Sequence, residues 1–136
     1  MNALSRIHAA LLPGGLVVDS QPISPEPPVE AADGNLGRLD MREWRATVDA
    51  VEERMAEAIG LGMFAIESEH TITVPDEFDS GAEFIEVVSA WRGTRIPRAV
   101  AARAEAAGPP VRVPQEVRLR VLRALPVQAP YRAVAP

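Results

Sequence analysis

The sequence predicts an α/β domain, and three observations predict it. Residues 4–12 and 41–58 carry apolar side chains at helical spacing, residues 16–18 are a continuous apolar run between turn residues, and residues 63–74 alternate with a period of two. Helices and strands therefore follow one another along the chain.

In the first helix Leu4, Ile7, His8, Leu11 and Leu12 fall at i, i+3, i+4, i+7 and i+8, which gathers them into one stripe. Pro13 cannot continue the helix and Gly14 or Gly15 can take a positive φ, so the chain turns there. Leu16, Val17 and Val18 read as a strand covered on both faces and hence parallel. A helix feeding such a strand is the second half of a β-α-β crossover. With Met1 just ahead of the helix, the strand expected before it is absent.

Residues 22–37 contain Pro22, Pro25, Pro27 and Pro28 and then Asp33-Gly34-Asn35, a composition that reads as irregular. This loop lies over the carboxyl end of the strand, where open α/β sheets bind ligands, and is either a plain connector or a cover for a substrate. Asp40-x-x-Glu43 resembles a capping box and opens the longest helix. There Met41, Trp44, Val48, Val51, Met55 and Ala58 form the packing stripe, Arg42, Glu52, Glu53 and Glu57 the outer face, and Gly60 and Gly62 the end. Trp44 and the methionines sit at core spacing rather than forming a cofactor box.

From 63 to 74, Phe64, Ile66, Ser68, His70, Ile72 and Val74 point one way, and Ala65, Glu67, Glu69, Thr71 and Thr73 the other. Glu67 and Glu69 leave the face opposite to His70, so the three do not converge on a metal. Pro75 stops this strand. Ser80-x-x-Glu83 caps a helix carrying Phe84, Val87, Val88 and Trp91, and Pro97 opens a short alanine-rich helix that runs to Ala107. In residues 111–125, Val117, Leu119 and Val121 alternate with Arg118 and Arg120, yet Val117, Val121, Leu122 and Leu125 also fit a helix. Periodicity alone does not decide between them.

A chain of 136 residues is one domain by length. It has no Cys, hence no disulfide framework, thiol nucleophile or thiolate metal site. No apolar run approaches the roughly 20 residues of a membrane span, and no signal peptide is apparent, so a cytoplasmic protein that binds no membrane is expected. Residues 1–91 hold five Arg against seventeen Asp and Glu, whereas residues 92–136 hold nine Arg against two Glu. No aromatic-interleaved motif accompanies these arginines, and the acidic part of the same domain is their natural neighbour, so no nucleic acid is expected. His8 and His70 have no nearby same-face acid or nucleophile, which leaves a hydrolase without support.

The run LLPGGLVVDSQP resembles the helix, turn and fifth strand of class I S-adenosylmethionine-dependent methyltransferases, and the order of elements resembles that fold to about Leu125. The resemblance implies a partial Rossmann-like methyltransferase fold, its C-terminal half, as a single domain over residues 1–125 with a flexible tail at 126–136. It implies a three-stranded mixed sheet, with strands near 16–20, 63–74 and 111–125 in spatial order first, third, second, and helices on both faces. The segment 97–107 would be an insertion. The family's donor-binding motifs have no counterpart: Gly14-Gly15 follows a helix, Gly60-x-Gly62 ends one, and Asp19 closes the fifth-strand equivalent. No cofactor-binding, catalytic or metal residue is therefore assigned, and S-adenosylmethionine would be a cofactor only if an N-terminal half supplied its site.

The same resemblance makes Asp19 and Gln21, with the proline loop, the substrate-side wall. Leu16, Val17 and Val18 become an interface, because the strand that would pair beside them is missing. The expected partner is a second copy in a homo-oligomer or a separately encoded N-terminal half. Two functions follow: part of a methyltransferase, inactive alone, or a non-catalytic self-associating module derived from that fold.

Overall fold

The computed structural model describes residues 3–126, so the tail expected at 126–136 lies outside the described residues except for Pro126. The elements are α1 (Ala3–Ala10), β1 (Leu16–Pro22), β2 (Pro28–Ala31), β3 (Gly34–Arg38), α2 (Arg42–Gly60), β4 (Phe64–Phe78), α3 (Gly81–Ser89), α4 (Arg98–Ala106) and β5 (Val111–Ala124). The class is α/β, but the sheet has five strands rather than three, and every pairing is antiparallel rather than mixed.

β5 is the axis of the sheet. One flank pairs with β4 from Val111 to Ala124; the other pairs with β1 over 117–123 and meets β2 at Arg112. The order β1, β5, β4 is first, third, second among the three expected strands. Gly14 turns the chain at φ 80°, and its N–H donates to the Ala124 carbonyl at 2.9 Å. This seats the turn against the end of β5. α1 ends at Ala10, so Leu12, expected on the inward stripe, is 82% exposed.

Three expectations fail for local reasons. The loop at 22–37 contains the β2–β3 hairpin, because Ala32-Asp33 makes a two-residue connection, Gly34 and Gly37 take positive φ, and Pro28 occupies the first strand position, where its missing N–H is tolerated. Pro75 does not stop β4, which runs on to Phe78 as an edge strand; a proline there can turn its donorless nitrogen away from the ladder. A bulge between Ile66 and Ser68 shifts the register, so Phe64 faces the side of Leu122 and Ala124 while His70, Ile72 and Val74 share the side of Leu119, Val117 and Gln115.

The buried positions of β5 change parity midway. Val111, Val113, Gln115 and Val117 are buried first, then Arg118, Arg120, Leu122 and Ala124. The strand thus turns one face to a core containing Phe78, Phe84, Val88, Val100 and Ala104, and the opposite face to a core containing Met55, Ala58 and Phe64. α3 and α4 serve the first core; α1 and most of α2 serve the second. Ser80 caps α3 as expected, its Oγ accepting from Glu83 N at 3.1 Å, and Glu83 reaches back to the Asp79 N–H. The capping box expected at Asp40 is not formed: Met41 precedes α2 without a side-chain cap, and Asp40 accepts instead from the backbone and guanidinium of Arg42.

Candidate functional site

At the carboxyl end of β1 the chain builds a cleft of about 320 Å³ lined by Pro22, Met41, Trp44, Trp91, Arg92, Thr94 and Gln115. Its walls come from four parts of the chain that backbone bonds tie together. Ile23 N donates to Glu116 O at 2.9 Å, and Met41 N to Pro25 O at 2.8 Å, so the segment after β1 is strapped to β5 and to the entry of α2. Arg45 Nη1 adds a bond to Ile23 O at 2.8 Å. The strapped segment is a fixed wall.

The opposite wall depends on Gly93. Its φ of 64° lets its carbonyl accept from Trp44 N at 3.2 Å, and a Cβ there would lie 2.5 Å from that nitrogen. A paired bridge between Asp40 and Arg95 continues the contact. Trp44 Nε1–H donates to the Pro22 carbonyl at 3.2 Å, which fixes its indole. Trp91 packs near Phe78, with ring centroids 6.3 Å apart.

Gln115 lines the cleft from β5 and is 6% exposed. Its Nε2 donates to Asp76 Oδ2 at 2.7 Å, but its Oε1 is buried with no hydrogen-bond partner. Buried carbonyl oxygens of this kind are rare in folded proteins. Beyond Gly93 lies a more polar hollow of about 390 Å³ around Asp40, Arg42, Glu43 and Arg95. There the hydrogen bonds from Arg42 hold the Asp40 carboxyl at about 2 and raise the Arg42 guanidinium in return.

Asp19 and Gln21 come together, but away from the cleft. Gln21 Nε2 donates to Asp19 Oδ1 at 3.0 Å, and both lie on the face of β1 that carries Val17. Across the β1–β5 register they face Arg120 and Arg118. Asp19 also borders an apolar recess of about 320 Å³ between α1, β1 and α2, with Leu4, Ile7, Val51 and Met55. Of the three expected interface residues, Val17 packs into the second core, while Leu16 and Val18 are 57% and 68% exposed. β1 is therefore covered on one face only, not both, and runs antiparallel to its neighbour.

Beneath α2 sits an ion-pair knot. Glu52, expected on the outer face, turns inward and accepts from Arg118 Nη2 and from Arg120 Nη1 and Nη2, the latter two at 3.0 and 2.8 Å. Glu69 stands 3.5 Å from Arg120. Burial works against the charge on Arg120, but the bonds and charge of Glu52, then Glu69, outweigh it and raise its pKa. Arg123 pairs with Glu67, and Arg112 lies 3.9 Å from Glu77, so several arginines of β5 meet acids of the same domain. No group of three metal-ligating side chains occurs among the described residues. No described helix is long and apolar enough to cross a membrane.

The glycine-containing junction between β4 and α3 does not fit S-adenosylmethionine. A donor cradle needs free backbone amides at a helix start after a strand. Among the described residues, the junction of that kind that contains a glycine, between β4 and α3, is already filled by Ser80 and by the Glu83 carboxylate. Gly81 itself is pressed against the Ala104 backbone.

Sequence reasoning missed Gln115, Trp91 and Met41 as one site. The one signal available was a glutamine at the same parity as Val111, Val113 and Val117. No protein-family model, curated protein or solved structure matches the chain.

Proposed function

We propose that this chain supplies the substrate-side portion of a methyltransferase-like sheet and that a further strand from outside the described residues completes the sheet along β1. One observation carries the reading: β1 is apolar at its start and, among the described residues, paired on one flank only. The Gly15 carbonyl and the Ile23 N–H both face β5. By alternation, the backbone groups of Leu16, Val18 and Ser20 face outward. Such a row is a template for another strand, and the apolar recess beside it offers room for side chains of that strand. The proline-glycine-glycine turn and the position of β5 between β1 and β4 support the methyltransferase comparison. In this reading methyl transfer requires the donor-binding half of the fold, which these residues do not supply.

Exposed Leu16 and Val18 favour a second reading, a non-catalytic module that pairs with a second copy. An antiparallel pairing centred on Val17 sets Leu16 opposite Val18 of the other copy, apolar against apolar.

Calorimetry with S-adenosylmethionine and sedimentation separate the two. Heat that appears only when an N-terminal half is co-purified supports the first reading. A dimer that never binds the donor and falls apart in Val18→Lys supports the second. A folded monomer at high concentration, indifferent to both additions, refutes both.

A further inference from the structure

We propose that the cleft between β1, α2 and the Trp91–Thr94 segment binds a small planar aromatic acid carrying a hydrogen-bond donor, of the hydroxybenzoate class. The inference does not depend on how β1 is completed.

Gln115 carries the argument. The side chain lies in the row of Val111, Val113 and Val117, where only an apolar group or a fully satisfied polar one belongs. Asp76 fixes its amide nitrogen at 2.7 Å, which leaves Oε1 as a buried acceptor with no donor. The oxygen itself is shielded, but its residue lines a cleft open to solvent, so a small shift of the neighbouring side chains lets an O–H or N–H of a bound molecule supply the missing donor.

The walls select the rest of that molecule. Both tryptophans of the chain line the cleft, and Pro22 and Met41 complete the apolar lining of a space of about 320 Å³. This is the low end for ligand sites, which suits one or two rings. Trp44 is held by its bond to Pro22 and Trp91 by its packing near Phe78, so the aromatic surfaces are in place before anything binds. Fixed aromatic faces favour a flat aromatic partner over a puckered aliphatic one. Arg92, exposed on the lining, has no acid within ion-pair distance among the described residues and is free to take a carboxylate. A donor, a flat ring and an anion thus describe one ligand.

The test is a ¹H–¹⁵N NMR titration, because the two tryptophan indole signals both report on the cleft. The probes are 4-hydroxybenzoate, benzoate, which lacks the donor, and cyclohexanecarboxylate, which lacks the flat ring. Both indole signals should shift saturably with 4-hydroxybenzoate, with a Kd on the order of 1 mM for so small a ligand. Benzoate should bind about tenfold more weakly, the worth of one hydrogen bond to a buried acceptor, and cyclohexanecarboxylate should give no saturable shift. Gln115→Met should bring 4-hydroxybenzoate down to the benzoate level without altering benzoate, and Arg92→Gln should weaken both. The proposal is overturned if neither indole signal moves up to about 10 mM of any probe. It is equally overturned if the three probes bind wild type alike, a comparison that needs no variant to fold.

Discussion

Replacing Glu52 by Gln tests whether the ion-pair knot under α2 holds the helix to the sheet. The substitution keeps volume and an amide that can still meet one guanidinium, so what it removes is charge. In the native protein the Arg118 and Arg120 side chains are each 11% exposed, Glu52 is 27% exposed, and Glu52 accepts from both. After the change the acid left within ion-pair distance of them among the described residues is Glu69, at 3.5 Å from Arg120 and 4.0 Å from Arg118, and itself 45% exposed.

Stranding a charge by removing its buried partner costs about 3–5 kcal/mol, whereas a solvent-exposed pair contributes about 0–1 kcal/mol. The knot stands nearer the buried limit on the arginine side and is open to water at Glu69, so a loss of about 2–3 kcal/mol is expected. For a domain of this length that is roughly 8–12 °C in Tm. Urea unfolding at neutral pH, in low and in high salt, measures it; a drop below about 0.5 kcal/mol, the range of an ordinary surface substitution, refutes the reasoning. A triple variant with Glu52→Leu, Arg118→Met and Arg120→Met should recover most of the loss, since an apolar replacement strands nothing. If it unfolds as readily as Glu52→Gln, packing rather than charge is at stake.

Other consequences can be measured directly. Gly81→Ala places a Cβ on the Ala104 carbonyl, so α3 and α4 must separate; a loss of about 2–3 kcal/mol or more in chemical denaturation is expected, and a neutral result contradicts the close approach. Gly93→Ala combines a positive φ with a Cβ 2.5 Å from Trp44 N, and should shift the Trp44 indole resonance while lowering stability by about 1–3 kcal/mol. Asp40 should titrate by carbon-detected NMR with a midpoint of about 2, and Arg42→Ala should move it upward. Because the folded pKa is depressed, any stability linked to Asp40 is fully present above the ordinary carboxyl pKa of 3.8 and is lost as pH falls from there through about 2. A midpoint near 3.8 in the native protein would contradict the Asp40–Arg42 bonds.

Local chemistry made much of the chain legible. Pro13 with Gly14-Gly15 marked the turn before β1, the period of two marked β4, and Ser80 with Glu83 marked the start of α3; each is fixed by residues within a few positions of the feature. Features decided across the sheet were not legible. The β2–β3 hairpin is short and rich in proline and glycine, and is sheltered by β5 rather than by its own propensity. The bulge after Ile66 conserves the alternating pattern on paper and still moves half of β4 to the other face. The antiparallel sense of β1 follows from β5 arriving beside it, and nothing in three apolar residues records that.

The polar interior shows most clearly why chemistry was misread where spacing was read correctly. Glu52 lies four residues after Val48 and three before Met55, inside the packing stripe by the same rule that placed those two. Only its charge argues for the outer face. Arg118 and Arg120 share the parity of Leu122, and Gln115 that of Val113; both relations were visible once β5 was taken as a strand. In each case periodicity places the side chain inward although it is polar. Two arginines at buried parity require an acid, and the acid at stripe spacing on the longest helix was the one to supply it. A glutamine at buried parity requires two partners. Asp76 is one, and Oε1 lacks the other.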